Sequence, residues 1–130
     1  MLYIALLHYP VTNKEGKVVA TSVANMDIHD IARTAKTYGV RRFYIVNPVD
    51  AQRELALQIV RHWQEGYGAR FNPSRKEAFA GLTVAAGLDD VMAEITAEND
   101  QKPRMVVTGA QLPGNLLTCA TLKERLRRNH

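Results

Sequence analysis

The segment 23–46 constrains the fold most, because in it an amphipathic helix leads directly into an apolar strand. Between Ile28 and Tyr38 the apolar residues recur at helical spacing, so one face of the predicted helix can lie on a sheet. Gly39 provides an end for this helix, and residues 42–47 form a short apolar run that is typical of a buried strand. A helix that returns the chain to a parallel strand is the unit from which α/β folds are built.

The same alternation continues along the chain and predicts a mostly parallel sheet flanked by helices, in one domain over residues 1–130. Asp50 and Ser74 are predicted to cap the helices that follow them. A hairpin with the first strand is one interpretation of residues 18–23. The last helix is expected to be basic and to be buried through Leu122 and Leu126. Further strands are predicted at residues 2–7, 82–86 and 104–108, and helices at 51–65, from 74, from 89 or 90, and at 118–128.

The cysteine count and the net charge limit the kinds of protein this chain can be, and no metal site is predicted. Cys119 is the only cysteine, which excludes an internal disulfide and a multi-cysteine zinc site, and fits a reducing cytoplasm. The net charge of +4 and the pI of about 9.4 are compatible with a nucleic-acid partner, although many small proteins without one are as basic. The apolar start of the chain is interpreted as a strand, not a signal peptide, and no run is long enough to span a membrane.

Polar ligands of parallel sheets usually bind beyond the carboxyl ends of the strands. This rule predicts that three loops, residues 25–30, 47–50 and 108–115, lie in one neighbourhood. Asp27, Asp30 and Arg33 recur at three-residue spacing and therefore share one flank of the first helix. The glycines of residues 108–115 allow backbone to approach a ligand, but neither GxGxxG nor a P-loop is present, so nucleotide phosphate binding has little support.

These features also have purely structural interpretations. Asp27 and Asp30 could only complement the helix dipole, and Arg33 could be a surface ion-pair partner. His8 could be a structural hydrogen-bonding residue. The basic and aromatic residues 70–76 could contact RNA or form a solvated loop. Residue types and spacing alone therefore predict an α/β domain with a cleft for a polar ligand.

An ordered series of segments extends this prediction: residues 8–11, 25–40, 44–48, 51–55, 61–63, 66–69 and 72–78. Together they resemble the S-adenosylmethionine (SAM)-dependent RNA methyltransferases of the SPOUT superfamily, in the bacterial family encoded near the tRNA guanine-N1 methyltransferase. The resemblance implies a Rossmann-like domain and a catalytic Arg33, with Asp30 and Asn25 as neighbours. It also implies that Thr108, Gly109 and Ala110 border the SAM pocket, although Gln111 stands where relatives often have an arginine.

By this resemblance the reaction is methyl transfer from SAM to a tRNA or rRNA nucleotide, carried out by a cytoplasmic homodimer. Asp30 would accept a proton, and Arg33 would bind phosphate or stabilise negative charge. Lys36, Arg41, Arg42, Arg75 and Lys76 would hold the RNA backbone. Two other classes stay open: a non-catalytic module that binds RNA or protein, and a different α/β protein that binds a nucleotide or a sulfonium ligand.

The resemblance also implies that family members continue beyond the point that corresponds to residue 130 of this chain. There a glycine-rich strand and loop and a C-terminal helix complete a trefoil knot, most of the SAM pocket and much of the dimer interface. We therefore expect an incomplete knot and a missing C-terminal portion in this chain, whose own activity is left open. The active-centre prediction requires Arg33 and Gly109 to lie at the same end of the strands.

Overall fold

Strands and helices alternate along the chain, and the computed structural model describes residues 1–128. In chain order the elements are β1 (Tyr3–Leu7), β2 (Val11–Thr12), β3 (Val18–Val19), α1 (Asn25–Thr37), β4 (Arg42–Val46), α2 (Asp50–Gln64), α3 (Tyr67–Phe71), α4 (Pro73–Phe79), β5 (Leu82–Ala85), α5 (Leu88–Asn99) and α6 (Cys119–Arg128). Among the described residues, no helix has the length and apolarity needed to cross a membrane.

The main sheet is three-stranded and parallel, in the order β1-β4-β5. Tyr3 lies opposite Arg42 at one end of the β1–β4 pair, and Leu7 lies opposite Val46 at the other. Helix α1 connects β1 to β4, and helices α2 to α4 connect β4 to β5, as parallel neighbours require. The predicted fold class, an α/β Rossmann-like arrangement with a parallel sheet, is confirmed.

The central strand β4 is buried on both faces, which explains its nearly continuous apolar sequence. Successive side chains of a strand point to opposite faces of the sheet. Phe43 and Ile45 accordingly pack into a cluster with residues of α1, α2 and α4. Tyr44 and Val46 pack on the other face, in a cluster with residues of α5. Each face of β4 therefore anchors one layer of helices.

The predicted hairpin between residues 18–23 and the first strand is wrong, because β3 pairs antiparallel with β2 instead. A local turn decides this pairing. The Asn13 side chain accepts the N–H groups of Glu15 and Lys17, each at 2.9 Å. Gly16 has φ 78°, a left-handed conformation that costs glycine little. This turn brings β3 back onto β2 and keeps it away from β1.

Two predicted helix caps are also wrong. Asp50 is the first residue of α2, and Val49 occupies the capping position without a side-chain hydrogen bond. Helix α4 is capped by Asn72, whose Oδ1 accepts the N–H of Arg75 at 3.0 Å, and not by Ser74. The reason is that the chain enters α4 two residues earlier than the Ser74 pattern indicates, with proline in the first turn where its missing N–H costs nothing.

The predicted strand at 104–108 is wrong. This segment lies in neither helix nor strand, and the side chains of Val106 and Val107 are exposed. An apolar run becomes a strand only when its backbone pairs with a neighbour, and none of the described strands pairs with this one. Helix α6 forms close to its predicted bounds, but none of its residues is fully buried, so the predicted burial of Leu122 and Leu126 is only partial.

Candidate functional site

The carboxyl edge of the sheet carries two buried polar residues, His8 after β1 and Asn47 after β4. The N–H of His8 donates to the carbonyl of Val46 at 2.9 Å and so extends the parallel ladder beyond the strand end. Thr21 joins the two polar residues: its Oγ1 lies 3.0 Å from His8 Nδ1, and its carbonyl accepts Asn47 Nδ2 at 3.0 Å. This network holds the chain that leads into α1 against the sheet.

Helix α2 closes the same edge with two side chains that sequence analysis did not single out. Arg53 donates through Nη1 to the carbonyl of Asn47 at 3.0 Å and forms an ion pair with Asp50. Gln52 Oε1 accepts the N–H of Val23 at 2.7 Å. The available signal was positional, because Asn47 directly follows a strand and Arg53 stands three residues after Asp50 on one helix face.

His8 is a neutral, buried imidazole at this edge. Burial lowers its pKa below the ordinary value of 6.5, and the nearby Asp27 carboxylate opposes that shift. Among the described residues, His8 Nε2 has no hydrogen-bond partner, although it is buried. Asp27 therefore acts on His8 through its charge. It does not cap helix α1 with a side-chain hydrogen bond, but its negative charge in the first turn is favourable to the helix dipole.

Helix α1 separates the three predicted catalytic residues along its length. Asn25, Asp30 and Arg33 are all exposed. Asp30 raises the pKa of His29 and Arg33 lowers it, so both lie close to that imidazole. Asn25 begins the helix, about 12 Å from Arg33 along the axis. It lines a shallow depression between α1 and α2 with Leu55, Gln58, Ile59, His62 and Trp63.

His29 belongs to an aromatic and basic cluster formed with α2 and α4. Its ring meets those of Trp63 and Phe79 edge-on, with centroids 5.3 Å and 5.0 Å apart. Arg75 donates to His29 Nδ1, and its guanidinium lies 5.6 Å from the centre of the Trp63 ring. Because arginine only donates, Nδ1 must accept, so His29 is neutral with its proton on Nε2. Burial, followed by the charge of Arg75, lowers the pKa of His29 accordingly.

Two of the predicted RNA-binding residues lie at the opposite, amino edge of the sheet and are neutralised there. Arg41 binds Glu98 at 2.6 Å, and Arg42 binds Glu94 at 2.9 Å. The hydrogen bond with Arg41 lowers the pKa of Glu98 and raises that of Arg41. Burial, with Glu94, raises the pKa of Tyr44 to about 12. These contacts tie α5 to the start of the strands.

Two further predicted RNA-binding residues, Lys36 and Arg75, make contacts between α1 and α4, which is also the side of Arg33. Lys76 instead lines a depression beside α2, together with Gln64. Lys36 bridges to Glu77 at 2.8 Å, and Arg75 contacts His29. Arg33 follows His29 by one turn and precedes Lys36 by three residues, so it lies along the same ridge. In the part of the chain that the structure describes, neither Arg33 nor Lys76 has an ion-pair partner.

The whole chain matches one protein family. The family is described as SAM-dependent RNA methyltransferase, and the match runs over residues 1–130. The chain belongs to this family. The resemblance drawn from the sequence is therefore confirmed at the level of the family.

Individual relatives agree with membership in the SAM-dependent RNA methyltransferase family. The chain is 44% identical over 130 residues to a Nitratidesulfovibrio vulgaris protein named tRNA (guanine-N(1)-)-methyltransferase, covering 95% of this chain and 30% of that protein. An Oleidesulfovibrio alaskensis protein of the same name is 40% identical over 114 residues, and the match covers 88% of this chain and 27% of that protein. An uncharacterised protein of Aquifex aeolicus is 37% identical over 127 residues, covering 98% of this chain.

The chain spans only part of each of these relatives. It covers 62% of the Aquifex aeolicus protein and less than a third of either protein named as a methyltransferase. The three members of the predicted SAM-binding loop, Thr108, Gly109 and Ala110, are exposed. None of them forms a hydrogen bond with another described residue, and the structure does not join them to Arg33.

Proposed function

We propose that this chain takes part in methyl transfer from SAM to a nucleotide of tRNA or rRNA, as a member of the SPOUT superfamily. The observation that carries the proposal is the group of cations on α1 and α4, in which Arg33 and Lys76 lack carboxylate partners among the described residues and Arg75 contacts an imidazole. Such a surface attracts a phosphate backbone. The name of two relatives, tRNA (guanine-N(1)-)-methyltransferase, favours tRNA as the substrate.

The proposed chemistry divides between Asp30 and Arg33. SAM, when bound, supplies an electrophilic methyl group. Asp30 accepts the proton that the RNA nitrogen or ribose oxygen loses, since its carboxylate is exposed and stands three residues before Arg33 on α1. Arg33 binds a phosphate, or stabilises negative charge on a ribose oxygen, through paired N–H donors. Asn25 orients the acceptor nucleotide by hydrogen bonds from the start of the helix.

Residues 108–110 fit a cofactor contact through their backbone. Thr108, Gly109 and Ala110 are exposed residues, and their N–H and C=O groups make no hydrogen bond to other described residues, so these groups are available to a polar ligand. A Cβ atom at position 109 would lie 3.1 Å from the Leu112 side chain, so the backbone of Gly109 and this side chain lie close together. We assign these groups to SAM binding as part of the proposal.

RNA binding is assigned first to Arg75 and Lys76 of α4, which have no carboxylate partner among the described residues, and then to Lys36, which would have to leave Glu77. Arg41 and Arg42 would reach phosphate only by exchanging their carboxylate partners on α5, so their contribution is expected to be smaller. Assembly as a homodimer and a cytoplasmic location complete the proposal.

The Arg33→Ala variant tests the catalytic assignment. In the protein that contains this sequence, we expect it to lower methyl transfer from radiolabelled SAM to bulk tRNA and rRNA by about 100-fold, because a donor to developing charge is lost. Thermal unfolding followed by circular dichroism should be unchanged, since Arg33 is exposed. Arg61→Ala is the matched control, because Arg61 is an exposed arginine on α2 whose ion-pair partner among the described residues is Glu54, at 3.3 Å.

Undiminished turnover in Arg33→Ala would remove this residue from the mechanism. Calorimetry with SAM and with S-adenosylhomocysteine tests the function itself. Heat with both supports an enzyme, whereas no heat with either, alongside salt-sensitive RNA binding, would identify a non-catalytic RNA-binding module.

A further inference from the structure

Helix α3 presents two aromatic side chains to solvent. Tyr67 is 73% exposed and Phe71 is 72% exposed, and their rings are nearly parallel, with centroids 6.0 Å apart and planes inclined by 19°. The other large aromatic side chains of this region are covered: Phe79 is fully buried, and Trp63 is partly buried between His29 and Phe79. A contiguous pair of exposed rings is uncommon on a protein surface and indicates a binding role.

The orientation of this pair is set by the packing of α3. Gly68 is buried, and a Cβ atom at this position would lie 2.7 Å from the Trp63 ring and 2.9 Å from the His62 ring. Helix α3 therefore lies directly on α2 through Gly68, and the i, i+4 pair of Tyr67 and Phe71 stays on a face away from that contact. Aromatic side chains have few rotatable bonds, so outward-facing rings bind a planar partner at little cost in side-chain entropy.

The surroundings of the two rings are positively charged. Arg70 lies between them in the sequence, is exposed, and has no ion-pair partner in the described part of the chain. Arg75 and Lys76 follow on α4. The only acid within residues 66–80 is Glu77, whose carboxylate is bound by Lys36. This charge pattern favours binding of a polyanion. It disfavours pairing of this surface with the same surface of a second copy of the chain, because both surfaces are basic.

We propose that Tyr67 and Phe71 are a stacking surface for unpaired bases of the RNA substrate, with Arg70 contacting the adjoining phosphate. Exposed aromatic rings beside cations are the usual means of binding single-stranded nucleic acid, because every base has a face that can stack. The inference rests on the RNA substrate of the proposed function and adds that a single-stranded segment of that RNA contacts α3.

Fluorescence anisotropy with a labelled oligouridine of about 12 nucleotides tests the proposal. We expect Tyr67→Ala and Phe71→Ala each to weaken binding of this probe about tenfold, and the double variant to weaken it further. A perfectly paired RNA duplex of equal length should bind the variants and the unaltered protein equally well. Arg70→Gln should weaken both RNAs and reduce the salt dependence of binding.

Tyr38→Ala is the matched control, because Tyr38 is 78% exposed at the end of α1 and has no ring contact among the described residues. It should leave the affinity for oligouridine unchanged. Unchanged affinity in the Tyr67→Ala/Phe71→Ala double variant would overturn the proposal. Conversion of a dimer to a monomer by the double variant, with RNA affinity unchanged, would overturn it in favour of a contact between copies of the chain.

Methyl-transfer kinetics separate this inference from the proposed function. Loss of stacking should raise KM for RNA while KM for SAM and kcat stay constant. If oligouridine binds through α3 but no methyl transfer occurs with any RNA, the stacking surface stands and the proposed function fails. If methyl transfer proceeds with an unchanged KM for RNA in the double variant, the proposed function stands and the stacking surface fails.

Discussion

His8 combines burial, a single side-chain hydrogen bond and an unpartnered ring nitrogen at the carboxyl edge of the sheet. The sequence offered a structural hydrogen-bonding role for this residue, and its environment is that of a neutral structural imidazole. The same edge carries Asn47 and Arg53, whose contacts come from residues distant in the sequence. At the scale of single residues, the residue type and its place in the sequence indicate where a polar side chain stands, whereas the packing around that side chain decides its protonation state.

The lowered pKa of His8 predicts a specific dependence of stability on pH. The folded state binds a proton less readily than the unfolded state, whose His8 titrates near the ordinary value of 6.5. The contribution of His8 to stability is therefore fully present above pH 6.5 and is lost as the pH falls through that value toward the folded pKa. Urea unfolding measured at about pH 7.5 and about pH 5.5 should show that the free energy of unfolding falls less between these two values in His8→Gln than in the unaltered chain.

His29→Gln should reduce this loss of stability as well, because the pKa of His29 is also lowered, chiefly by burial. The two histidines share no contact partner among the described residues, so the effects of the two substitutions should add. An unchanged difference between the two pH values in His8→Gln would show that His8 takes up its proton equally well in both states.

Helix α4 illustrates how a local pattern can place an element correctly and its cap wrongly. Residues 74–77 match a capping box, and a helix does form there. The chain nevertheless enters the helix at Pro73, so Asn72 accepts the N–H of Arg75. Asn72 also ends α3, which makes it the joint between the proposed stacking surface and the cationic residues of α4.

We expect Asn72→Ala to lower the free energy of unfolding by about 1 kcal/mol, the usual cost of losing an N-cap side chain. Ser74→Ala is the matched comparison and should change it by less than about 0.5 kcal/mol, since Ser74 is exposed and caps nothing. Both values can be measured by urea unfolding. Equal losses in the two variants, or a larger loss in Ser74→Ala, would show that the capping box operates in solution.

On the scale of the whole molecule, apolar residues have two different fates. Those of β4 are enclosed between two layers of helices. Those of 105–107 are exposed, although their sequence is as apolar as that of a strand. A run of valines is stabilised only where other parts of the chain cover it, so position in the fold, and not composition, determines its contribution to stability.

Val46→Ala and Val107→Ala compare these two environments with the same chemical change. Val46 is 0% exposed and Val107 is 70% exposed. We expect Val46→Ala to lower the free energy of unfolding by about 2 kcal/mol, from lost burial and the cavity left behind. Val107→Ala should change it by less than about 0.5 kcal/mol in this chain. A large loss in Val107→Ala would mean that residues 104–108 are covered in solution.

The sequence by itself determined the alternation of the main-sheet strands with helices, the buried central strand and the family, because periodicity, turn residues and an ordered series of segments are properties of the chain alone. Only the tertiary structure decided which cations are neutralised. Arg41 meets Glu98 across 57 positions of sequence, while Arg33 stays without a carboxylate among the described residues. Ion pairs and strand pairs depend on which distant segments of the chain come into contact, and the local spacing of residues does not determine those contacts.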